Sequence, residues 1–183
     1  MKNIREYVFK VTVLGDGGVG KTSMVLQFTE NKFKANYIMT IGSNFAIKLI
    51  KYDDETICRL QIWDLAGQSS FAFVRPGFYQ GSFANIYVYD ITDRKSFNAI
   101  EDWVNEAEQY VPNVPRVLVG NKLDLTEERV VSRSEGSTLA EKLGARFYET
   151  SAKTGENLEQ IFKDLNDKLV EIHVKKVSFG VSH

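Results

Sequence analysis

Apolar runs and helical patterns alternate down the whole chain. The run "YVFKVTVL" (residues 7–14) predicts a buried strand, and "KTSMVLQFTENK" predicts the first helix. Residues 33–42 read as a loop. "SNFAIKLIKY" and "TICRLQIWD" flank the turn-like Asp53, Asp54 and Glu55, which predicts an antiparallel hairpin. Three more buried strands come from "FANIYVYD", "PRVLVGN" and "ARFYETS". Between them, Phe97, Ile100, Val104 and Ala107 are spaced for one helix face, as are Leu139, Ala140 and Leu143. The last helix shows its stripe on Leu158, Ile161, Phe162, Leu165, Leu169 and Ile172. Such alternation predicts a mostly parallel sheet covered on both faces. No repeat, low-complexity tract or linker interrupts it, so one α/β domain is expected.

A chain of 183 residues with 43% hydrophobic content is long enough for one well-buried core and short for two. Its net charge of −1 provides no basic field for nucleic acid. No apolar run approaches a membrane span, and "MKNIREYVFK" lacks the apolar stretch of a signal peptide. The single cysteine, Cys58, excludes an internal disulfide and a cysteine-rich metal site, which fits a reducing cytoplasm. Cys58 alternates with Leu60 and Ile62 and reads as core. His173 and His183 read as surface residues without metal-ligand partners.

The candidate chemistry begins at "GDGGVGKT" (residues 15–22), between a predicted strand and a predicted helix. It meets the pattern G-x-x-x-x-G-K-[ST] through Gly15, Gly20, Lys21 and Thr22. Glycines let consecutive backbone N–H groups converge on phosphates, and the helix adds its positive end. Lys21 is expected to bridge the β- and γ-phosphates, and the Thr22 hydroxyl to ligate Mg²⁺. The pattern specifies a nucleoside triphosphate and leaves the base open.

The base is read from "VGNKLDL", which places Asn121, Lys122 and Asp124 just past a strand, where open parallel sheets bind ligands. A carboxylate can accept from both N1–H and the N2 amine of guanine, whereas adenine offers no such donor pair. In "TSAKTG", the backbone N–H of Ala152 is expected to donate to guanine O6. In "IWDLAGQ", Asp64 ends a strand as a second magnesium holder, usually through water. Gly67 can offer a bare N–H to the γ-phosphate and pivot when it leaves, and Gln68 can orient the attacking water. Thr40 is the candidate to close the metal site from the other side.

Together these residues resemble the Ras superfamily of small GTPases, and most closely its Rab branch, from about Tyr7 to Leu169. "GDGGVGKT", Thr40, "WDLAGQ", "NKLD" and "SAK" match the family's five guanine-nucleotide motifs. The resemblance implies a phosphate-loop fold with a six-stranded sheet, one antiparallel edge strand and five helices. It implies nucleotide contacts from Asp16, Gly17, Gly18, Val19, Ser23, Phe33, Tyr37, Leu125 and Ser151. Phe33 would meet guanine edge-on, Lys122 would lie over the ring, and Lys153 would pack near the base. Rab-like stretches include "TIGSNF", "FYQGS" and "RVVSRSEGSTLAEKLGARFYETSAKTGEN". By position, Phe45, Trp63 and Phe78 match the aromatic triad that Rab proteins offer to effectors, with Ile41 beside them. The family implies a role in vesicle trafficking.

The chain departs from the family in places. "WDLAGQSSF" carries Leu65, Ser69 and Ser70 where a Rab usually has "WDTAGQERF", so the acidic residue that exchange factors often engage is missing. "IGVDF" has become "IGSNF". Rab proteins end in cysteines that carry prenyl chains, and "VKKVSFGVSH" has none; Lys175 and Lys176 are too few to hold a membrane electrostatically. The expected organisation is an N-terminal extension (residues 1–6), a GTPase domain (7–173) and a tail without prenylation cysteines (174–183). The chain is expected to be a cytoplasmic monomer with no direct membrane anchor, unless the native chain extends to a lipidated tail.

The expected activity is that of a GTP-hydrolysing switch, whose GTP- and GDP-bound states are read by an activating protein, an exchange factor and an effector. No arginine can be assigned as a finger in cis, and the partner of Arg75 in the second switch is unreadable. Intrinsic turnover is therefore expected on the order of 10⁻⁴ to 10⁻³ s⁻¹, as in the superfamily's type case. The bare Gly17 leaves room for a finger from a partner. Two rival classes are a GTP-loaded scaffold with irrelevant hydrolysis, against which Gln68 argues, and a phosphate-loop kinase or motor ATPase. The chain has no room for the acceptor site or extra domains of the latter.

Overall fold

The computed structural model describes residues 4–33 and 39–175. Strand β1 (Arg5–Leu14) lies inside a six-stranded sheet and pairs in parallel with β3 (Thr56–Leu65) and β4 (Ala84–Asp90). Parallel pairing continues through β5 (Arg116–Asn121) to β6 (Arg146–Glu149). Antiparallel pairing is confined to β2 (Ser43–Lys51), which folds back on β3 at the sheet edge. The order β2-β3-β1-β4-β5-β6 is that of a mostly parallel α/β sheet with one antiparallel edge strand.

Helices α1 (Lys21–Glu30) and α6 (Leu158–Val170) cover one face. Their Met24, Phe28, Ile161, Phe162 and Leu165 bury Phe9, Val11, Val13, Leu60 and Ile62 of the sheet. Phe28 and Phe162 stack with centroids 3.9 Å apart. On the other face lie α2 (Pro76–Tyr79), α3 (Arg94–Asn98), α4 (Ile100–Glu108) and α5 (Arg133–Leu143). Ile100, Trp103, Val104, Leu139 and Ala140 there meet Leu14, Tyr87, Tyr89 and Leu118. Strand β4 is wholly buried because Ile86 and Val88 feed one core while Tyr87 and Tyr89 feed the other. Burial of the Ile86 and Val88 side chains contributes about 1.5–3 kcal/mol each.

The second helical layer stops short of the β2–β3 end. Val8, Phe45, Ile47 and Leu49 consequently remain exposed on the outer sheet face. Helix α5 is held at its start by a capping box, in which Ser132 accepts from the Glu135 N–H and Glu135 accepts from the Ser132 N–H.

Some expectations change. The single helix through Phe97 and Ala107 is two segments, broken at Ala99 (φ −77°, ψ −10°), so six α-helices stand among the described residues where five were expected. Ser96 is buried and its hydroxyl accepts from Asp90 N–H at 3.0 Å and donates to Asp93 O at 2.8 Å, which pins α3 to the end of β4 while α4 turns away. Strand β1 starts at Arg5, two residues before the expected domain start. Ile172 falls beyond α6, in the wide turn Glu171–Lys175. His173 is exposed, as expected, and its ring packs edge-on against Phe83 at 4.9 Å and lies 6.0 Å from Phe9. Cys58 is fully buried. Among the described residues, no helix is long and apolar enough to cross a membrane.

Candidate functional site

The loops at the carboxyl ends of β1, β3, β5 and β6 carry most of the predicted nucleotide-site residues, while Phe33 and Thr40 lie between α1 and β2. Residues 15–20 leave β1 as a glycine-rich turn, and α1 begins at Lys21. Gly20 takes φ +95°, and a Cβ there would collide with the Asn121 side-chain amide. Glycine at this position therefore permits both the turn and the approach of the β5 loop. Lys21 is buried and folds over its own loop, donating to Gly15 O at 2.7 Å and Asp16 O at 2.8 Å. Burial drives its ammonium down to about 8, against the attraction of Asp64 and Asp16.

Next to Lys21, three oxygen-bearing side chains converge. The Thr22 hydroxyl lies 2.8 Å from the Thr40 hydroxyl and donates to Asp64 Oδ2. The other Asp64 oxygen, Oδ1, is buried with no hydrogen-bond partner. Burial lifts this carboxyl above its ordinary range, opposed by Thr22 and Lys21. Two hydroxyls and a carboxylate with an unsatisfied oxygen form an all-oxygen donor set that fits a hard dication such as Mg²⁺. They line a cavity of about 510 Å³ together with Gly17, Gly18, Ser23, Gly67 and Gln68.

After β3, the main chain at Gly67 runs directly against the phosphate loop. A Cβ on Gly67 would fall well inside contact distance of Gly15 O, Asp16 C and Gly17 N. Gln68 follows, and its amide borders Gly17: a Cβ on that glycine would sit 3.2 Å from Gln68 Nε2.

At the other end of the loop, Asn121 ties three segments together. Its Nδ2 donates to Val19 O at 2.8 Å, and its Oδ1 accepts from Ala152 N–H at 3.1 Å. The Ala152 N–H assigned from sequence to a guanine oxygen is thus held by Asn121, because β5–β6 pairing brings the "SAK" turn against that side chain. Lys122 takes the left-handed conformation (φ 70°), and its ammonium pairs with Asp90 Oδ2 at 2.5 Å, since β4 and β5 end in register. Asp124 Oδ1 accepts from the buried Ser151 hydroxyl at 2.5 Å, and Lys153 Nζ lies 3.9 Å from Asp124 Oδ2. The Leu125 N–H closes a turn to Lys122 O at 2.8 Å. Phe33 stands exposed beyond α1, and Tyr37 lies outside the described residues.

Phe45, Trp63 and Phe78 form one aromatic cluster, with successive ring centroids 4.8 and 5.5 Å apart. Ile41 is 77% exposed nearby in sequence, where β2 begins. Sequence reasoning missed Asp90, although it ends a strand as Asp64 does. It also missed Trp103, which has helical spacing with Ile100 and Ala107 but whose Nε1–H donates across the molecule to Asp16 Oδ1 at 2.7 Å.

The strand–loop–helix cradle, the buried lysine and the adjoining oxygen cluster define a phosphate-loop nucleoside triphosphatase. The chain belongs to the Ras family, whose model matches residues 10–171. It is 46% identical over 158 residues to Ras-related protein RIC1 of Oryza sativa subsp. japonica, covering 86% of this chain and 78% of that protein. It is 41% identical over 182 residues to Ras-related protein RABE1e of Arabidopsis thaliana, covering 96% and 83%. With GTP-binding protein YPTM2 of Zea mays it shares 43% over 158 residues, covering 86% and 77%. The protein is a small GTPase of Rab type, which binds and hydrolyses GTP as a switch.

Proposed function

We propose that the described residues divide the work of this switch as follows. The loop N–H groups and Lys21 hold the β- and γ-phosphates, and Asp124 reads the paired donors of guanine. Thr22, Thr40 and Asp64 would hold Mg²⁺, which neutralises phosphate charge when bound. Gln68 accepts a hydrogen bond from the attacking water and aims it at the γ-phosphorus, while the bond to the bridging oxygen breaks to leave GDP and phosphate. Thr40 and Gly67 are the two points at which the γ-phosphate holds the switch segments. The Phe45–Trp63–Phe78 cluster with Ile41 is the surface an effector reads, and activating and exchange proteins act on the same segments.

The observation that carries this reading is the placement of Gln68 beside Gly17, at the same loop that buries Lys21. Gln68→Leu tests it in single-turnover hydrolysis of bound GTP. Hydrolysis should slow by about 10²-fold while GTP dissociation stays within twofold. Undiminished turnover would remove Gln68 from the role.

A further inference from the structure

Beside the Gln68 main chain lies a partly buried polar chain that joins α4 to the second switch. Arg75 is only 5% exposed. Its Nε and Nη2 donate to the two carboxylate oxygens of Glu106 on α4, each at 2.7 Å, and its Nη1 donates to the backbone oxygen of Gln68 at 3.2 Å. Tyr79 donates to the same carboxylate at 2.8 Å. The guanidinium carbon sits 4.4 Å from the centroid of the Trp103 ring, and Trp103 in turn donates to Asp16 of the phosphate loop. All three sides of the guanidinium are thus engaged: two by a fork to one carboxylate, one by the main chain of the switch, with its plane on an indole.

We propose that Arg75 is a positioning residue for hydrolysis. It grips the Gln68 main chain while the ring beneath it holds the phosphate loop at Asp16, so one guanidinium sets the distance between the loop and the water-orienting amide. The inference rests on the role given to Gln68. A lysine could meet Glu106, but it has neither the planar fork nor the flat face for Trp103. Committed in this way, Arg75 is not free to serve as an arginine finger in cis.

The test is single-turnover GTP hydrolysis, GTP dissociation and melting temperature on the full chain. Arg75→Ala should slow hydrolysis by about tenfold or more while dissociation stays within twofold. Arg75→Lys, the safer variant for folding, should also be slow. The swap of Arg75→Glu with Glu106→Arg should recover melting temperature but not rate, since the guanidinium then springs from α4 and the Gln68 carbonyl loses its donor. In a Trp63→Phe background, Trp103 emission should differ between GTP and GDP forms, and Arg75→Ala should abolish that difference. Wild-type hydrolysis in folded Arg75→Ala or Arg75→Lys, or a rate restored by the swap, overturns the proposal while slow Gln68→Leu preserves the site reading. If Gln68→Leu itself hydrolyses normally, the site reading fails first and takes this inference with it.

Discussion

Gly17→Val should disable the hydrolytic step and spare nucleotide binding. The Gly17 backbone lies outside the left-handed region, so a side chain there brings no backbone strain, and the consequence falls on its neighbour. A Cβ alone would stand 3.2 Å from Gln68 Nε2, 3.6 Å from Cδ and 3.7 Å from Cγ. Alanine therefore requires the amide to yield by only a few tenths of an ångström. Valine adds two methyl groups about 1.5 Å farther out, and at least one must enter the volume of the Gln68 amide. Gln68 then has to leave its position by about 1 Å, a displacement that costs on the order of 10²-fold in rate, or about 2.7 kcal/mol. The assay is phosphate release from preloaded GTP in a single turnover, with alanine and valine side by side and GTP dissociation measured in parallel. The expected order is wild type, alanine, then valine, with unchanged dissociation. Valine at the wild-type rate, or equal losses in binding and hydrolysis, would refute the steric argument.

The site also predicts a pH dependence. Lys21 has its free-state value near 8, and bound phosphate favours the ammonium, so the bound value lies higher. Nucleotide affinity should therefore be full below about pH 8 and fall as pH rises through that value, by about tenfold per unit until the bound value is reached; calorimetric titration with GDP at pH 7 and 9 reads it, and a flat profile contradicts it. Asp124→Asn should shift preference from guanine towards xanthine, because the side chain beside Ser151 then offers a donor where it had only accepted; unchanged GTP affinity in a competition assay counts against the assignment. Gly136→Ala should lower stability, since a Cβ there meets the Tyr89 hydroxyl and stands 2.7 Å from Phe147 Cε2. Overpacking of about 1–3 kcal/mol exceeds the roughly 1 kcal/mol gained in helix propensity, so melting should occur a few degrees lower, and a higher melting temperature would refute it.

Features encoded within a few residues were legible before any coordinates. The cradle from Gly15 to Thr22 needs its glycines, lysine and hydroxyl at fixed local spacing, and a strand and a helix do flank it. The alternation of Cys58, Leu60 and Ile62 placed that strand's inner face correctly. What escaped depends on chain segments meeting in space. The apolar spacing of Phe97, Ile100, Val104 and Ala107 runs through the break at Ala99 undisturbed, so the pattern carries no sign of it. The partner of Arg75 was unreadable along the chain, and only the approach of α2 to α4 brings Glu106 to it. The partners Asn121 for Ala152 and Asp90 for Lys122 were not readable along the chain, because they are set by which strands lie side by side.

Asn121 makes the two ends of the nucleotide site mechanically inseparable. One side-chain amide spans Val19 in the phosphate loop and Ala152 in the base loop, so the molecule holds a gauge of fixed length between them. A force applied at either end is transmitted to the other. A shift of the phosphate loop that carries the Asn121 amide with it is therefore also felt at the Ala152 turn, at the base end of the site.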